Sequence, residues 1–204
     1  MLGFNFFKKI RSRTLSSLLT EVPETYRQKR LHLGCGNIHL DGWCNVDFRK
    51  TSATDKVCDV FLLPDDAKNS IGLIYACHVL EHSGLYSNEQ MPAHTEVLKR
   101  WFDILAPGGI LCVAVPDLEL VFKGLLKFDG KPESKGFMGA LYGGQNYPGN
   151  SHFCGFTVKM LTNTLETLGF TSIRPFKSFS KDTSQFILNG LPISLNLAAT
   201  KPKN

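Results

Sequence analysis

Two glycines and an aspartate follow the first two apolar segments of the chain. Gly34 and Gly36 come directly after Arg30 to Leu33, and Asp47 closes the segment Trp43 to Asp47. A glycine after a strand lets the backbone turn with a positive φ, and a second glycine lets a ligand approach the main chain. A carboxylate at the end of the next strand can accept hydrogen bonds from both hydroxyls of a ribose. The pattern predicts a ribose-containing ligand here; a solvated aspartate at the strand end is the alternative for Asp47.

A second group with chemical potential is the run HVLEH, residues 78–82. His78 and His82 are four residues apart, so a helix would place both on one face. Two histidines at this spacing could hold a metal ion, but the order His-Glu-x-x-His that such sites use is absent. We therefore predict no metal site.

The elements that position these residues alternate between strand-like and helix-like segments. Strands are predicted at Arg30–Leu33, Trp43–Asp47, Lys56–Phe61, Ile71–Cys77, Ile110–Val115, Ser172–Phe179 and Leu191–Thr200. Apolar residues recur with a helical period over Met91 to Leu105 and Thr157 to Leu168, with Thr157 as a cap and Gly169 as the stop. Pro116 to Gly155 reads as a long glycine-rich loop with a short helix near Leu118 to Phe128.

This alternation predicts an α/β fold with a doubly wound, mostly parallel sheet and helices on both faces. In such a sheet the ligand crevice lies outside the carboxyl ends of the strands. The residues that directly follow the strands are therefore the candidate site.

Five motifs, LHLGCG, GWCNVD, CDVFLLP, IYACHVLEH and LAPGGILCVAVPD, occur in this order. Together they resemble the class I S-adenosylmethionine-dependent methyltransferases, in particular small predicted methyltransferases often associated with glycan and surface-polysaccharide pathways. The resemblance covers residues 30–202. It implies a Rossmann-like, seven-stranded class I methyltransferase fold, with S-adenosyl-L-methionine as the cofactor.

The resemblance also implies a set of cofactor-binding residues: Gly34, Cys35, Gly36, Asp47, Asp59, Val60 and His78. The loop with Gly34 and Gly36, which we call the glycine loop, would pass under the methionine portion. Asp47 would hold the ribose, and Asp59 with Val60 would lie at the adenine. Two departures stand out. The family commonly has Phe-Asp before its fourth strand, where this chain has Ile71-Gly72. The loop also lacks the third glycine of dinucleotide-binding proteins, since His39 stands there, which disfavours hydride transfer.

Methyl transfer to a sugar hydroxyl benefits from a general base, because an alcohol is a poor nucleophile at neutral pH. The candidates near the strand ends are His78, Glu81, His82, Asp117 and His152. We predict His152 as this base, since it lies in the loop expected to hold the acceptor, with His82 and Asp117 as orienting or alternative groups. Helix capping is the alternative role of Asp117. An ordered cover over the cofactor is the alternative role of the loop.

We therefore expect a methyltransferase that O-methylates a sugar or glycan precursor in polysaccharide biosynthesis, with a small-molecule or glycan acceptor as its partner. One alternative is a methyltransferase acting on a small non-sugar metabolite. The other is a non-catalytic cofactor-binding subunit of a biosynthetic assembly.

The composition of the chain indicates its size class, its partners and its redox compartment. With 204 residues, 43% of them hydrophobic and 20% charged, the chain can bury one substantial core. The segment through Arg30 carries seven basic and two acidic residues, which equals the net charge of +5 of the whole chain. The rest is neutral, so no nucleic-acid partner is expected. Six cysteines form no Cys-x-x-Cys pair, which fits a reducing cytoplasm.

We divide the chain into a basic amphipathic N-terminal segment, residues 1–29, and a methyltransferase domain, residues 30–204. Phe4, Ile10, Leu15 and Leu18 recur at helical spacing beside basic residues. We favour a helix packed over the domain; a helix bound to a partner or lying on the inner face of the membrane is the alternative. A cytoplasmic protein is expected, peripheral at that membrane in the second case.

Overall fold

In the computed structural model, residues 13–64, 67–178 and 182–203 are described. The strands are β1 (Arg13–Thr14), β2 (Arg30–Leu33), β3 (Cys44–Asp47), β4 (Lys56–Val57), β5 (Ile71–Cys77), β6 (Leu105–Pro116), β7 (Thr171–Lys177), β8 (Ile187–Leu188), β9 (Leu191–Pro192) and β10 (Ser194–Thr200). Eight of them form one sheet in the order β1-β7-β10-β6-β5-β2-β3-β4, and β8 and β9 form a separate hairpin. In the large sheet β10 is antiparallel to β6 and β7, and all other pairs are parallel.

Helices cover both faces of this sheet. They are α1 (Leu15–Glu21), α2 (His94–Ile104), α3 (Leu118–Lys127), α4 (Ser134–Tyr142) and α5 (Val158–Thr167). Along β5, Ile74 and Ala76 face the core that α2 and α5 cover, whereas Leu73 and Tyr75 face the core that α1 covers. Two buried faces explain why β5 and β6 are apolar nearly throughout. The predicted doubly wound α/β class is confirmed.

The predicted helix over Thr157 to Leu168 is also confirmed, as α5. The Thr157 hydroxyl accepts a hydrogen bond from the Met160 N–H at 3.2 Å, and Gly169 follows with a φ of 93°. Leu161 and Leu165 are fully buried on the inner face. Local capping and periodicity were sufficient here.

Three predicted boundaries change. The loop over residues 116–155 contains a second helix, α4, which forms because Phe137 is fully buried against Gly124 of α3. The third predicted strand stops at Val57, since the Asp59 carboxylate accepts a hydrogen bond from the Phe61 N–H at 2.9 Å and holds a turn. The last predicted strand is divided into β9 and β10 at Ile193, whose side chain is buried among residues of α3 and α4.

The connections between the first parallel strands also differ from the predicted alternation. Residues 34–43, between β2 and β3, and residues 48–55, between β3 and β4, contain turns and no helix. Leu40 and Trp43 from the first connection fill the core beside α1. The connections that join β2, β3 and β4 therefore place no helix against this part of the sheet.

The N-terminal segment is described from Arg13 onward, and Phe4 and Ile10 lie outside the described residues. β1 pairs with the edge strand β7 and extends the sheet to eight strands rather than seven. Leu15 and Leu18 are fully buried against the sheet. The described part of the segment thus packs on the domain. Among the residues described, no helix has the length and apolar character to span a membrane.

Candidate functional site

The Asp47 carboxylate organises the loop that follows β2. Its Oδ2 accepts a hydrogen bond from the Gly36 N–H at 2.8 Å, and its Oδ1 accepts one from the Arg49 N–H at 2.8 Å. Asp47 is only 3% exposed, and the Arg49 Nε lies 3.5 Å from Oδ1. One carboxylate therefore ties together the turns after β2 and β3, at the carboxyl ends of both strands.

The glycine loop has room for a ligand on one side only. Gly34 and Gly36 both have positive φ, 65° and 54°. A Cβ on Gly34 would lie 2.2 Å from the Val79 side chain, so this glycine is needed for packing. A Cβ on Gly36 would meet no atom within 4 Å, so the main chain there borders open space. The Cys35 side chain between them is buried, and burial raises the pKa of its thiol.

This open, positive-φ turn beside a buried carboxylate fits the nucleoside and methionine portions of S-adenosylmethionine. Each carboxylate oxygen of Asp47 has a second lone pair beyond its bond to the loop, so it can also accept a ribose hydroxyl. Farther along the same edge, Asp59 is exposed and Val60 is 6% exposed. The Val60 carbonyl is bound by the Trp101 Nε1–H at 2.9 Å, which fixes the main chain where the adenine would lie.

His78 follows β5 directly and adopts an unusual backbone conformation, with a φ of 53°. Its N–H donates to the Ala114 carbonyl of β6 at 2.8 Å, which holds the turn against the sheet. Its Nε2 lies 3.0 Å from Ser194 Oγ, and its Nδ1 lies 3.2 Å from Glu81 Oε1. Non-glycine residues with positive φ concentrate at functional sites.

Glu81 is the centre of a cluster of three histidines. His78, Glu81, His82 and His152, which we call the histidine–glutamate cluster, surround a carboxylate with no solvent exposure. Neither oxygen of Glu81 makes a well-aligned hydrogen bond with the described residues, but His78 Nδ1 lies 3.2 Å from Oε1. Burial alone would raise the pKa of Glu81, but the adjacent histidines, His78 above all, outweigh it and hold that pKa below its usual value. The carboxylate is thus charged and buried, with histidines as its polar neighbours.

The tautomers of two cluster histidines follow from their partners. His82 Nδ1 lies 2.9 Å from the Ser151 carbonyl, and His152 Nδ1 lies 3.1 Å from the Ala140 carbonyl. A carbonyl only accepts, so each Nδ1 carries the proton, and in the neutral ring Nε2 keeps a lone pair. His152 Nε2 lies 3.9 Å from Glu81 Oε1, and burial lowers the pKa of His152. His152 is therefore neutral at pH 7.

The loop of residues 143–156 connects this cluster to the Asp47 turn. At one end, the Phe153 N–H donates to the Glu81 carbonyl at 2.9 Å. At the other, the Tyr147 ring lies 4.5 Å from the Arg49 guanidinium, a cation–π contact. A Cβ on Gly149 would come within 3.1 Å of Phe48. The loop therefore spans the edge of the sheet between the predicted ribose position and the histidines.

Asp117 has a structural role in the contacts it makes. Its Oδ1 accepts a hydrogen bond from the Glu119 N–H at 2.9 Å and caps α3. Burial raises the pKa of this carboxyl. No hydrogen bond or ion pair joins it to the cluster among the described residues. Helix capping, the alternative to a catalytic role, is what these contacts show.

Two groups at the site differ from what the sequence predicted. Glu81 was one of the candidates for the general base, whereas the structure places it at the centre of the cluster. Arg49 follows Asp47 by two residues, but its stacking on Tyr147 depends on the path of a distant loop. That contact leaves no local sequence signal.

A concavity lies at the opposite end of the sheet. Its lining includes Glu21, Arg174 and Lys201. Arg174 pairs with Glu21, and the Lys201 ammonium donates to the carbonyls of Phe102 and Leu105, each at 2.8 Å. These charges satisfy one another or close the end of α2, so we assign them to the fold rather than to ligand binding.

The chain matches no family model and no curated protein. Solved structures do resemble it. A protein assigned as a methyltransferase, in complex with the Trm112 methyltransferase activator of Haloferax volcanii, has a TM-score of 0.54 at 14% identity, over 93% of this chain and 89% of that one. The 1,6-didemethyltoxoflavin-N1-methyltransferase of Burkholderia thailandensis, solved with 1,6-didemethyltoxoflavin and S-adenosylhomocysteine, has a TM-score of 0.52 at 17% identity, over 85% and 70%. An S-adenosylmethionine-dependent methyltransferase of Archaeoglobus fulgidus has a TM-score of 0.53 at 13% identity, over 84% and 85%.

At these identities the likeness concerns the fold. The chain has the Rossmann-like fold of class I methyltransferases. In it the carboxyl ends of the parallel strands carry the glycine loop, Asp47 and the histidine–glutamate cluster.

Proposed function

We propose that this chain is an S-adenosylmethionine-dependent methyltransferase that O-methylates a sugar or glycan precursor. The observation that carries the proposal is the hydrogen bond between the Asp47 carboxylate and the glycine loop, at the carboxyl ends of the strands in this fold. The carboxylate is buried, is bonded to the loop, and keeps lone pairs for a ribose. Open space lies over Gly36 on the side where a ligand would pass.

The cofactor, when bound there, supplies a methyl group already activated on a sulfonium. The residues of the chain then have to hold the cofactor and align an acceptor with it. In our proposal Gly34 and Gly36 let the main chain lie under the methionine portion. Asp47 holds the ribose, and Asp59 with Val60 lies at the adenine.

The acceptor hydroxyl would be activated at the histidine–glutamate cluster. Val79, the residue after His78, packs on Gly34, so the cluster adjoins the glycine loop. His152 offers a neutral imidazole whose Nε2 can take a proton, and its Nδ1–H is held by Ala140. We propose it as the base, with His82, whose ring centroid lies 4.8 Å away, as the group that orients it.

The loop of residues 143–156 supports a sugar as the acceptor. Tyr147 and Phe153 on this loop are 40% and 53% exposed, and Phe48 opposite is 51% exposed. Exposed aromatic faces suit stacking on sugar rings. The side chains of Gln145 and Asn146 on the same loop are exposed and can hydrogen-bond to hydroxyls.

Calorimetric titration with S-adenosylhomocysteine tests the cofactor half of the proposal. Asp47→Ala should weaken binding by at least about 1.5 kcal/mol, the scale of a hydrogen bond to a charged group. Asp41→Ala is the matched control, because this carboxylate lies near the same loop but is fully exposed. Absence of binding to the unaltered chain, or equal affinity in Asp47→Ala and Asp41→Ala, would contradict the assignment.

The acceptor half requires a transfer assay with methyl-labelled S-adenosylmethionine. Free sugars, nucleotide sugars and oligosaccharides would be offered beside non-sugar alcohols, phenols and amines, with products identified by mass spectrometry. Methyl ethers formed on the carbohydrates alone would support the proposal. Transfer confined to the non-sugar compounds would favour a small-metabolite enzyme, and cofactor binding without any transfer would favour a non-catalytic subunit.

A further inference from the structure

Ligand-type atoms meet at one point of the histidine–glutamate cluster. One such atom from each of Glu81, His82 and His152 lies within 4.8 Å of the others. His82 and His152 place Nδ1 against the Ser151 and Ala140 carbonyls, which leaves Nε2 of each ring as the candidate ligand. The Glu81 side chain is buried, and neither of its oxygens makes a well-aligned hydrogen bond with the described residues.

His78 borders the same carboxylate. Its Nδ1 lies 3.2 Å from Glu81 Oε1, and its Nε2 lies 3.0 Å from Ser194 Oγ. The Ser194 hydroxyl donates to Asn196 Oδ1 at 2.8 Å, so Ser194 Oγ can accept from His78 Nε2.

We propose that Glu81, His82 and His152 bind one divalent first-row transition-metal ion, with His78 beside it. One ligand atom from each of the three lies within 4.8 Å of the others. In a tetrahedral site, ligand atoms about 2.1 Å from the ion lie about 3.4 Å from one another. His152 Nε2 and Glu81 Oε1 are 3.9 Å apart and would close by about half an ångström. A pair at the 4.8 Å limit would close by about 1.4 Å, which small side-chain rotations supply.

The donor set defines the class of ion. Two imidazoles and one carboxylate suit zinc, iron, cobalt or manganese rather than magnesium or calcium, which prefer oxygen ligands throughout. The carbonyls of Ser151 and Ala140 bind the outer ring nitrogens, as in metal sites where a second group fixes the tautomer of a ligating histidine. Three protein ligands leave positions open for a substrate oxygen.

The absence of a His-Glu-x-x-His order predicted no metal, but the tertiary structure assembles a different order from residues 70 positions apart. The proposal does not depend on methyl transfer. It does bear on the role of His152. Without the ion, His152 Nε2 is the base proposed above; with the ion bound, an acceptor hydroxyl would be activated by coordination instead.

The test uses the full chain, purified without chelators and then freed of metal by dialysis against a chelator. Cobalt(II) would be titrated in and followed by its visible absorption, which reports nitrogen and oxygen ligation. Thermal unfolding with zinc or manganese gives a second readout, because an ion that binds only the folded chain raises Tm. Elemental analysis before dialysis identifies the resident ion.

We expect one ion per chain. Glu81→Gln and His152→Ala should each weaken cobalt binding at least about tenfold and abolish the rise in Tm. His39→Ala is the matched control, since this half-exposed histidine lies outside the cluster, and it should bind cobalt like the unaltered chain. If Glu81→Gln fails to fold, as judged by circular dichroism, His152→Ala and the unaltered chain decide the question.

Absence of cobalt binding to the unaltered chain would overturn the proposal and leave His78 as the partner of Glu81. Equal binding by the cluster variants and His39→Ala would overturn it as well. Cofactor binding is tested in a separate titration with S-adenosylhomocysteine, in which Asp47→Ala is the variant. Failure of the metal proposal therefore leaves the methyltransferase proposal standing, and the reverse also holds.

Discussion

We expect alanine substitutions of two nearby glycines, Gly34 and Gly36, to have different effects on the protein. Gly34 and Gly36 both have positive φ, so either alanine introduces backbone strain. At Gly34 the added methyl group also lies 2.2 Å from the Val79 side chain. At Gly36 it projects into space with no atom within 4 Å. Gly34→Ala should therefore damage the fold, and Gly36→Ala should damage the cofactor site.

The magnitudes follow from these contacts. A left-handed conformation costs an alanine about 1–2 kcal/mol, and forcing a methyl group into a packed interior adds about 1–3 kcal/mol. Gly36→Ala should thus lose about 1–2 kcal/mol of unfolding free energy and Gly34→Ala about 2–5 kcal/mol. For a chain of this size each kcal/mol lowers Tm by about 2–4 °C. The two variants should be separable by thermal unfolding.

The affinity for S-adenosylhomocysteine is the second property that should distinguish the two variants. At a temperature where both variants are folded, Gly36→Ala should lose at least about tenfold in affinity, equivalent to about 1.4 kcal/mol, because its methyl group occupies the space under the ligand. Measured by calorimetry, an affinity of Gly36→Ala equal to that of the unaltered chain would refute the placement of the cofactor over this loop. A Tm of Gly34→Ala no lower than that of Gly36→Ala would refute the packing argument.

The other predictions concern the acceptor, the pH dependence and the N-terminal segment. His152→Ala should keep its affinity for S-adenosylhomocysteine but lose about 10²-fold or more in turnover, measured once an acceptor is known; near-normal turnover would reject His152. Burial lowers the pKa of His32 from its usual 6.5, so below pH 6.5 the unfolded chain gains a proton that folded His32 does not bind. Stability to urea should therefore fall as the pH drops from 6.5 toward that lowered pKa, and less so in His32→Gln; parallel profiles would contradict this. Leu18→Ala should cost about 2–5 kcal/mol in the same assay, because Leu18 is fully buried against the sheet; an unchanged midpoint would show that the segment does not hold the domain.

Sequence alone determined the elements whose information is local. The apolar runs of β5 and β6 are strands because both faces of each are buried, and that burial shows as continuous hydrophobicity. The capped helix α5 and the positive-φ turn at Gly34 likewise depend on residues within a few positions. Parallel strands place their carboxyl ends at one edge, so the positions of Asp47 and His78 followed from the order of elements.

Tertiary structure alone decided what crosses between distant segments. α4 carries two glycines within its sequence, which disfavour a helix, and it forms because Phe137 is buried against α3. Asp117 was compatible with catalysis or capping until its bond to the Glu119 N–H was known. Glu81 and His152 meet only because the loop after α4 returns to the Glu81 main chain through Phe153. Periodicity reports which face of an element is buried, but not which remote side chain will lie against it, and for that reason the histidine–glutamate cluster could be recognised only in the folded chain.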